Sequence, residues 1–274
     1  VSAPAIATHE APRARSQIGR YSLWQLRDYL MDRGTPTFIV STLFGYLSLS
    51  SMLPSLRRGL EQVSANQIAR YGSVEAAREA MVREFNFAFL HSFLGAIVFL
   101  GALFAMRGIV ADDRKLGYYR FLFSKPLTPA RYYGQAFVVH GLGFAFVALV
   151  LGALYGIMVA PVLSVPLLSM LMLVYLCYAG IAFLLSAAAR WDWLSLVSVT
   201  VAATYLWGRF GQSDSVLAKL LYLLPPLHKT GEVYEAAARG VASPWQTIAW
   251  IAGYGVLSFI AGLVVLRHRR LAII

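Results

Sequence analysis

Five stretches of this chain contain no Asp, Glu, Lys or Arg: residues 34–56, 85–106, 132–189, 193–208 and 244–266. No other feature limits the fold so strongly. A bilayer core of about 30 Å is crossed by roughly 20 apolar helical residues, and inside it only helices or closed barrels satisfy every backbone group. The run 132–189 is more than twice what one crossing needs. Pro161 and Pro166, in "VAPVLSVP", divide it, because proline ends one helix and suits the first turn of the next. The expected architecture is therefore all-α with six transmembrane helices, the third and fourth over 132–160 and 165–189. The 193–208 segment is the shortest of the six. Composition agrees: 58% of residues are hydrophobic and 14% charged, where soluble domains carry about a quarter charged.

Six crossings put both termini on one side. That side holds the N-terminal region, 107–131, 190–192 and the C-terminal tail, with fifteen Lys/Arg against six acids. The other side holds 57–84 and 209–243, with nine against seven. Short loops rich in Lys and Arg stay in the cytoplasm, so both termini are expected there. The formal net charge of +11 is then a topology signal and calls for no nucleic acid, for which no motif is present. Residues 1–17, rich in Ala, Pro, Ser and Arg and without an apolar core, read as a flexible tail rather than a secretory signal. Residues 18–274 form the membrane domain. The single cysteine, Cys177, excludes an internal disulfide.

Between the second and third crossings lies "DDRKLGYYRFLFSKPLTPARYYGQAF", from Asp112 to Phe137. A plain connector is shorter and would not leave "YYRFLF" in water, at a cost of about 25 cal/mol per Å² of apolar area. Tyr118, Tyr119, Phe121, Leu122 and Phe123 are expected to pack on a partner or the headgroup layer. Asp112 or Asp113 can cap a short helix, Pro126 ends it, and "SKPLTPAR" turns the chain into the next crossing.

This stretch resembles the cytoplasmic signature of type-2 ATP-binding-cassette (ABC) exporter permeases. The matching positions are Asp113, Gly117, Leu122, Ser124, Pro126, Thr128, Arg131 and Gly134. Asp113 stands for the usual Glu, Tyr118 for Thr and Gln135 for Lys. A second stretch, "LLYLLPPLHKTGEVYEAAARGV" over 220–241, is similar to the family's segment between the fifth and sixth crossings, which forms re-entrant or interfacial helices at the outer face. The resemblance implies a permease subunit that works with a second permease, identical or related, and with separately encoded ATPases. ATP and Mg would be bound on those partners and no cofactor by this chain. It also implies that Asp113, Gly117, Tyr118, Tyr119, Phe121, Leu122, Phe123, Ser124 and Pro126 form the coupling helix, within 112–131, that docks on the ATPase.

Before the first crossing, "SQIGRYSLWQLRDYLMDRG" reads as an amphipathic interfacial helix from an N-cap at Ser16 to a C-cap at Gly34. Leu23, Leu26 and Leu30 share one face, Gln25, Asp28 and Asp32 lie opposite, and Trp24 suits the headgroup layer. The outer loop 54–84 exceeds a connector's needs. Gly72–Ser73 reads as a helix stop followed by an N-cap, so a helical hairpin is expected, available to an accessory protein. The second outer loop is 209–243.

Catalytic chemistry is not evident. The chain has no phosphate loop of the form G-x-x-x-x-G-K-[ST] and no Cys/His cluster with metal spacing. His91 and His140 lie within crossings, where an ionisable residue is a functional candidate but also bonds neighbouring helices. Gly152 and Gly156 suit close helix packing. The expected role is a non-catalytic permease. The alternatives are a polytopic lipid-modifying enzyme using His91 or His140, and a non-transporting membrane scaffold.

Overall fold

The computed structural model describes residues 14–110, 112–113, 117, 128–158, 163–188, 192–211, 216–239 and 241–268. These residues form helices and no strand. In chain order they are α1 (Ala14–Tyr29), a π-helical turn (Leu30–Gly34), α2 (Thr35–Glu61), α3 (Ala65–Tyr71), α4 (Val74–Met106), α5 (Pro129–Met158), α6 (Val165–Ala188), α7 (Asp192–Phe210), α8 (Val216–Leu220), two 3-10 turns (Leu221–Leu223 and Leu227–Lys229), α9 (Thr230–Ala238) and α10 (Trp245–His268). Five helical stretches are long and apolar enough to cross a membrane: Ser22–Glu61, Val74–Met106, Pro129–Met158, Val165–Ala188 and Trp245–His268. The chain is an all-α, multi-pass membrane protein. The helix α7, at 19 residues, falls outside those five. Asp192 and Arg209 near its ends leave it the least apolar candidate.

Local chemistry sets several boundaries. Gly72 ends α3 at φ 86, a left-handed conformation that side chains resist, and its N–H bonds the Ile68 carbonyl at 2.8 Å. Ser73 then caps α4 by accepting from the Ala76 N–H at 3.1 Å, and Ser64 with Gln67 forms a capping box on α3. Tyr71 donates to Glu84 at 3.2 Å and Arg78 to the Leu60 carbonyl at 3.1 Å, so the hairpin expected over 54–84 is present. It begins later than expected, because α2 runs unbroken through Pro54 to Glu61. Ser164 caps α6, accepting from the Leu167 N–H at 3.2 Å, with Pro166 in the first turn.

The N-terminal segment departs from expectation in two ways. Helix α1 starts at Ala14, so residues 14–17 are not tail and Ser16 lies inside the helix rather than capping it. Residues 1–13 of the expected tail lie outside the described residues. Gly34 is not a C-cap either. It is right-handed, at φ −67 and ψ −44, and the chain passes through the π turn directly into α2. No left-handed residue breaks the run, so the interfacial helix and the first crossing are one continuous rod. At about 1.5 Å per residue, the 40 residues from Ser22 to Glu61 extend roughly 60 Å, twice the bilayer core.

Glycine and aromatic contacts fix helix directions. Gly45 sits against Phe93 and Gly59 against Met81, so α2 and α4 are antiparallel. Phe144 fills the space beside Gly101, and Tyr155 donates to Asn86 at 2.9 Å, so α4 and α5 are antiparallel. Phe144 stacks on Tyr175 and Phe137 meets Phe183, making α5 and α6 antiparallel. In contrast α6 and α10 run the same way: Gly255 packs on Leu176 and Cys177, and Gly262 on Phe183 and Leu184. Gly180 and Gly255 bring the two backbones into direct contact, the close approach that small residues permit in membranes. Helix α6 carries the core, with Val174, Cys177, Ala179, Phe183 and Ala187 fully buried.

A polar junction at the foot of the 107–128 connection

Where α4 ends and α5 begins, the bundle buries polar side chains. The last four carbonyls of a helix have no partner within it, and Ala105 is one of these. Arg33, from the π turn, donates through Nη1 to the Ala105 carbonyl. His140, on α5, is buried here and its Nδ1 has no partner. A cation at a helix C-terminus also meets the negative end of the helix dipole. The ring of Tyr29 lies 4.9 Å from that of His140 and occupies the space beside Gly143. Gln135 donates to Ser22 at 2.8 Å. Helix α1 is thus laid along α5, and its buried face is polar.

The connection itself is anchored here. After a turn in which the Asp112 N–H bonds the Gly108 carbonyl at 2.9 Å, Asp113 accepts a hydrogen bond from the Tyr133 hydroxyl at 3.0 Å. Burial pushes the Asp113 carboxyl above its ordinary range. The Tyr133 bond and then Arg33 oppose the shift, and Asp112 adds to it. Gly117 is left-handed at φ 72, which supplies a reason for glycine at that position of the signature. At the start of α5, Arg131 N–H is held by the Thr128 hydroxyl at 3.4 Å.

Of the residues singled out in the sequence, Asp113, Gly117 and His140 come to or border this junction. Tyr118, Tyr119, Phe121, Leu122, Phe123, Ser124 and Pro126 lie outside the described residues, as does the side chain of His91, whose backbone is helical in α4. On α1 the apolar face is not the buried one. Leu23 and Trp24 are exposed, Leu26 and Leu30 are partly buried, and Gln25 and Tyr29 are buried. The reason is the partner: α5 offers Gln135 and His140 at that level, so α1 turns its polar edge inward. Arg33, Tyr29 and Tyr133 were not foreseen. Arg33 was visible only as the last charge before the run 34–56.

A second cluster lies at the opposite end. His228 stacks on Trp207 at 3.7 Å and meets Trp250 edge-on at 5.6 Å, with Tyr222 against both tryptophans. Burial first, then Lys229, holds His228 below its ordinary range, with Glu232 opposing, so the stacked ring is neutral near pH 7. Tyr234 of α9 is fully buried, and burial pushes its hydroxyl well up. Among the described residues no group of three His, Cys, Asp or Glu is placed to hold a metal ion. Compared with known families, curated proteins and solved structures, the chain finds no match.

Proposed function

We propose that the chain is the permease subunit of a type-2 ABC exporter in the cell membrane, six-span with cytoplasmic termini. It pairs with a second permease and with separate ATPases that bind ATP and Mg. One observation carries the reading beyond the sequence signature. Asp113, the signature acid, is tied to Tyr133 at the start of the next long helix, within electrostatic reach of the Arg33 that bonds the end of α4. A push on Asp113 therefore reaches α5 through Tyr133, while Arg33 ties the π turn to the end of α4. Closure of the ATPases on ATP would move these helices together, and a path between the two permeases would change its access.

Six crossings are supported by the parallel pair. A chain that leaves α6 and enters α10 in the same direction must travel back along the bundle between them. Helix α7, about 28 Å long at 1.5 Å per residue, packs on α6, and Trp207 near its end meets His228 beside Trp250 at the start of α10.

The test is copurification of an ATPase with the tagged chain. Replacing Tyr119 and Phe121 together by Ala should weaken the association about thirty-fold, because truncating a buried aromatic anchor often costs about 2 kcal/mol. Replacing Arg114 and Lys115 by Ala should do less, since exposed charges contribute about 0–1 kcal/mol. Failure of any phosphate-loop ATPase to copurify with the unaltered chain would remove the reading.

A further inference from the structure

At the end of the bundle away from the junction, four aromatic rings close a circuit. His228, in the 3-10 turn Leu227–Lys229, stacks on Trp207 of α7 at 3.7 Å and meets Trp250 of α10 edge-on at 5.6 Å. Tyr222, in the turn Leu221–Leu223, completes it, edge-on to Trp207 at 5.3 Å and stacked on Trp250 at 5.5 Å. All four contacts are stacked or edge-to-face, the arrangements that aromatic pairs favour. The backbone that presents His228 is itself satisfied: the Leu227 N–H bonds the Pro225 carbonyl at 2.8 Å, and the Thr230 hydroxyl donates to the Leu227 carbonyl at 2.7 Å. The ring is not. Neither of its nitrogens has a hydrogen-bond partner among the described residues or reaches solvent, and the same holds for Trp207 Nε1. Buried polar groups are almost always paired, so such exceptions call for a reason. The residue as a whole is only partly buried, so the sealed nitrogens lie near the surface.

The surrounding charges do not engage the ring. Glu232 of α9 pairs with Lys229, and Arg209 of α7 is exposed. From α10 comes Tyr254, whose hydroxyl donates to the Leu223 carbonyl at 3.2 Å. A neutral imidazole leaves one N–H unmatched in this setting. A charged imidazole leaves two, and sets an unpaired cation beside Lys229, which burial penalises. We propose that His228 is a proton-operated latch on the outer end of the bundle. Neutral, it closes the circuit that joins α7, the two 3-10 turns and α10. A proton from the surrounding water adds to a ring nitrogen, the charged ring leaves the stack to be hydrated, and the link between α7 and α10 through these rings opens. Which side of the membrane supplies the proton rests on the six-span reading; the latch itself does not.

The experiment follows tryptophan emission and the thermal midpoint of the purified full chain in detergent, from about pH 8 to about pH 4.5, above the ordinary carboxylate range. His228→Phe keeps a ring in the stack and cannot titrate, and His228→Gln replaces it if that variant does not fold. The difference between the unaltered chain and the variant isolates His228, because His140 and the other four tryptophans are common to both. The expected result is a red shift on acidification, reversed at pH 8, as Trp207 and Trp250 meet water, and its absence in the variant. A base held neutral in the folded state contributes stability that is complete above its unfolded value, about 6.5, and is lost as pH falls below it. The midpoint of the unaltered chain should therefore fall relative to the variant in that window. Lys229→Gln removes the neighbouring cation that holds the ring neutral, and should move the transition to higher pH. Emission that dims without shifting means that the charged ring stays on the indole face, held by cation–π attraction, and overturns the proposal. So does a red shift of equal size in the unaltered chain and the variant, or no pH dependence in either. None of these readings involves an ATPase, so failure here leaves the transport reading standing.

Discussion

Arg33 and Asp113 bring opposite charges into one junction without touching each other. Arg33 spends a donor on the end of α4 and Asp113 accepts from Tyr133. Each charge is thereby tied to a different long helix, and the junction holds three elements instead of one pair. The raised pKa of Asp113 has a thermodynamic sign. A carboxyl that holds its proton more tightly when folded adds stability below the ordinary carboxylate range, and that stability is lost as pH rises through the folded value. Thermal unfolding followed upward in pH from the ordinary carboxylate range should show this loss, and Asp113→Asn should flatten it. Tyr133→Phe removes the bond that favours the charged form, so the loss should move to higher pH. A profile identical in all three proteins would mean that Asp113 does not titrate in that window. Asp113 and His140 stood out in the sequence, but their neighbours in the junction did not. Tyr29, Gln25 and Arg33 look like the polar side of an interfacial helix, and only the neighbouring Gln135, His140 and Ala105 turn that side inward.

Among the elements, the closest contact is between α6 and α10. A methyl group on Gly180 would lie 2.2 Å from the Gly255 carbonyl oxygen, and one on Gly255 would lie 2.7 Å from that of Leu176. Backbone cannot yield as a side chain does. Gly180→Ala or Gly255→Ala should therefore separate the helices and cost about 1–3 kcal/mol, the range for overpacking. Gly95 and Gly253 have nothing within 4 Å of the same position. Alanine there should be neutral or should add up to about 1 kcal/mol through helix propensity. Equilibrium unfolding in mixed detergent separates the two classes, and equal effects in both would contradict the packing described. Helix ends were largely legible, since Gly72, Ser73 and Pro166 act through local geometry that travels with the residue. Gly34 misled for the same reason: glycine permits a stop without requiring one, and Thr35 and Pro36 continue the helix.

For the molecule as a whole, six crossings predict that a cysteine at Ser73 reacts with an impermeant maleimide from outside the cell and one at Thr128 only after the cytoplasmic face is opened. The background is Cys177→Ala, which removes a thiol that is buried. Labelling of both from the same side would rule the topology out. The parallel pairing of α6 and α10 also has a consequence for how the chain is made. The ribosome delivers α6 more than fifty residues before α10 begins, and until α10 arrives the Gly180 groove has no occupant. Assembly of this pair in the membrane therefore waits until α10 has left the ribosome. A chain cut short after α9 would present that groove to the membrane's quality-control proteases, and its lifetime, not its insertion, would register the loss.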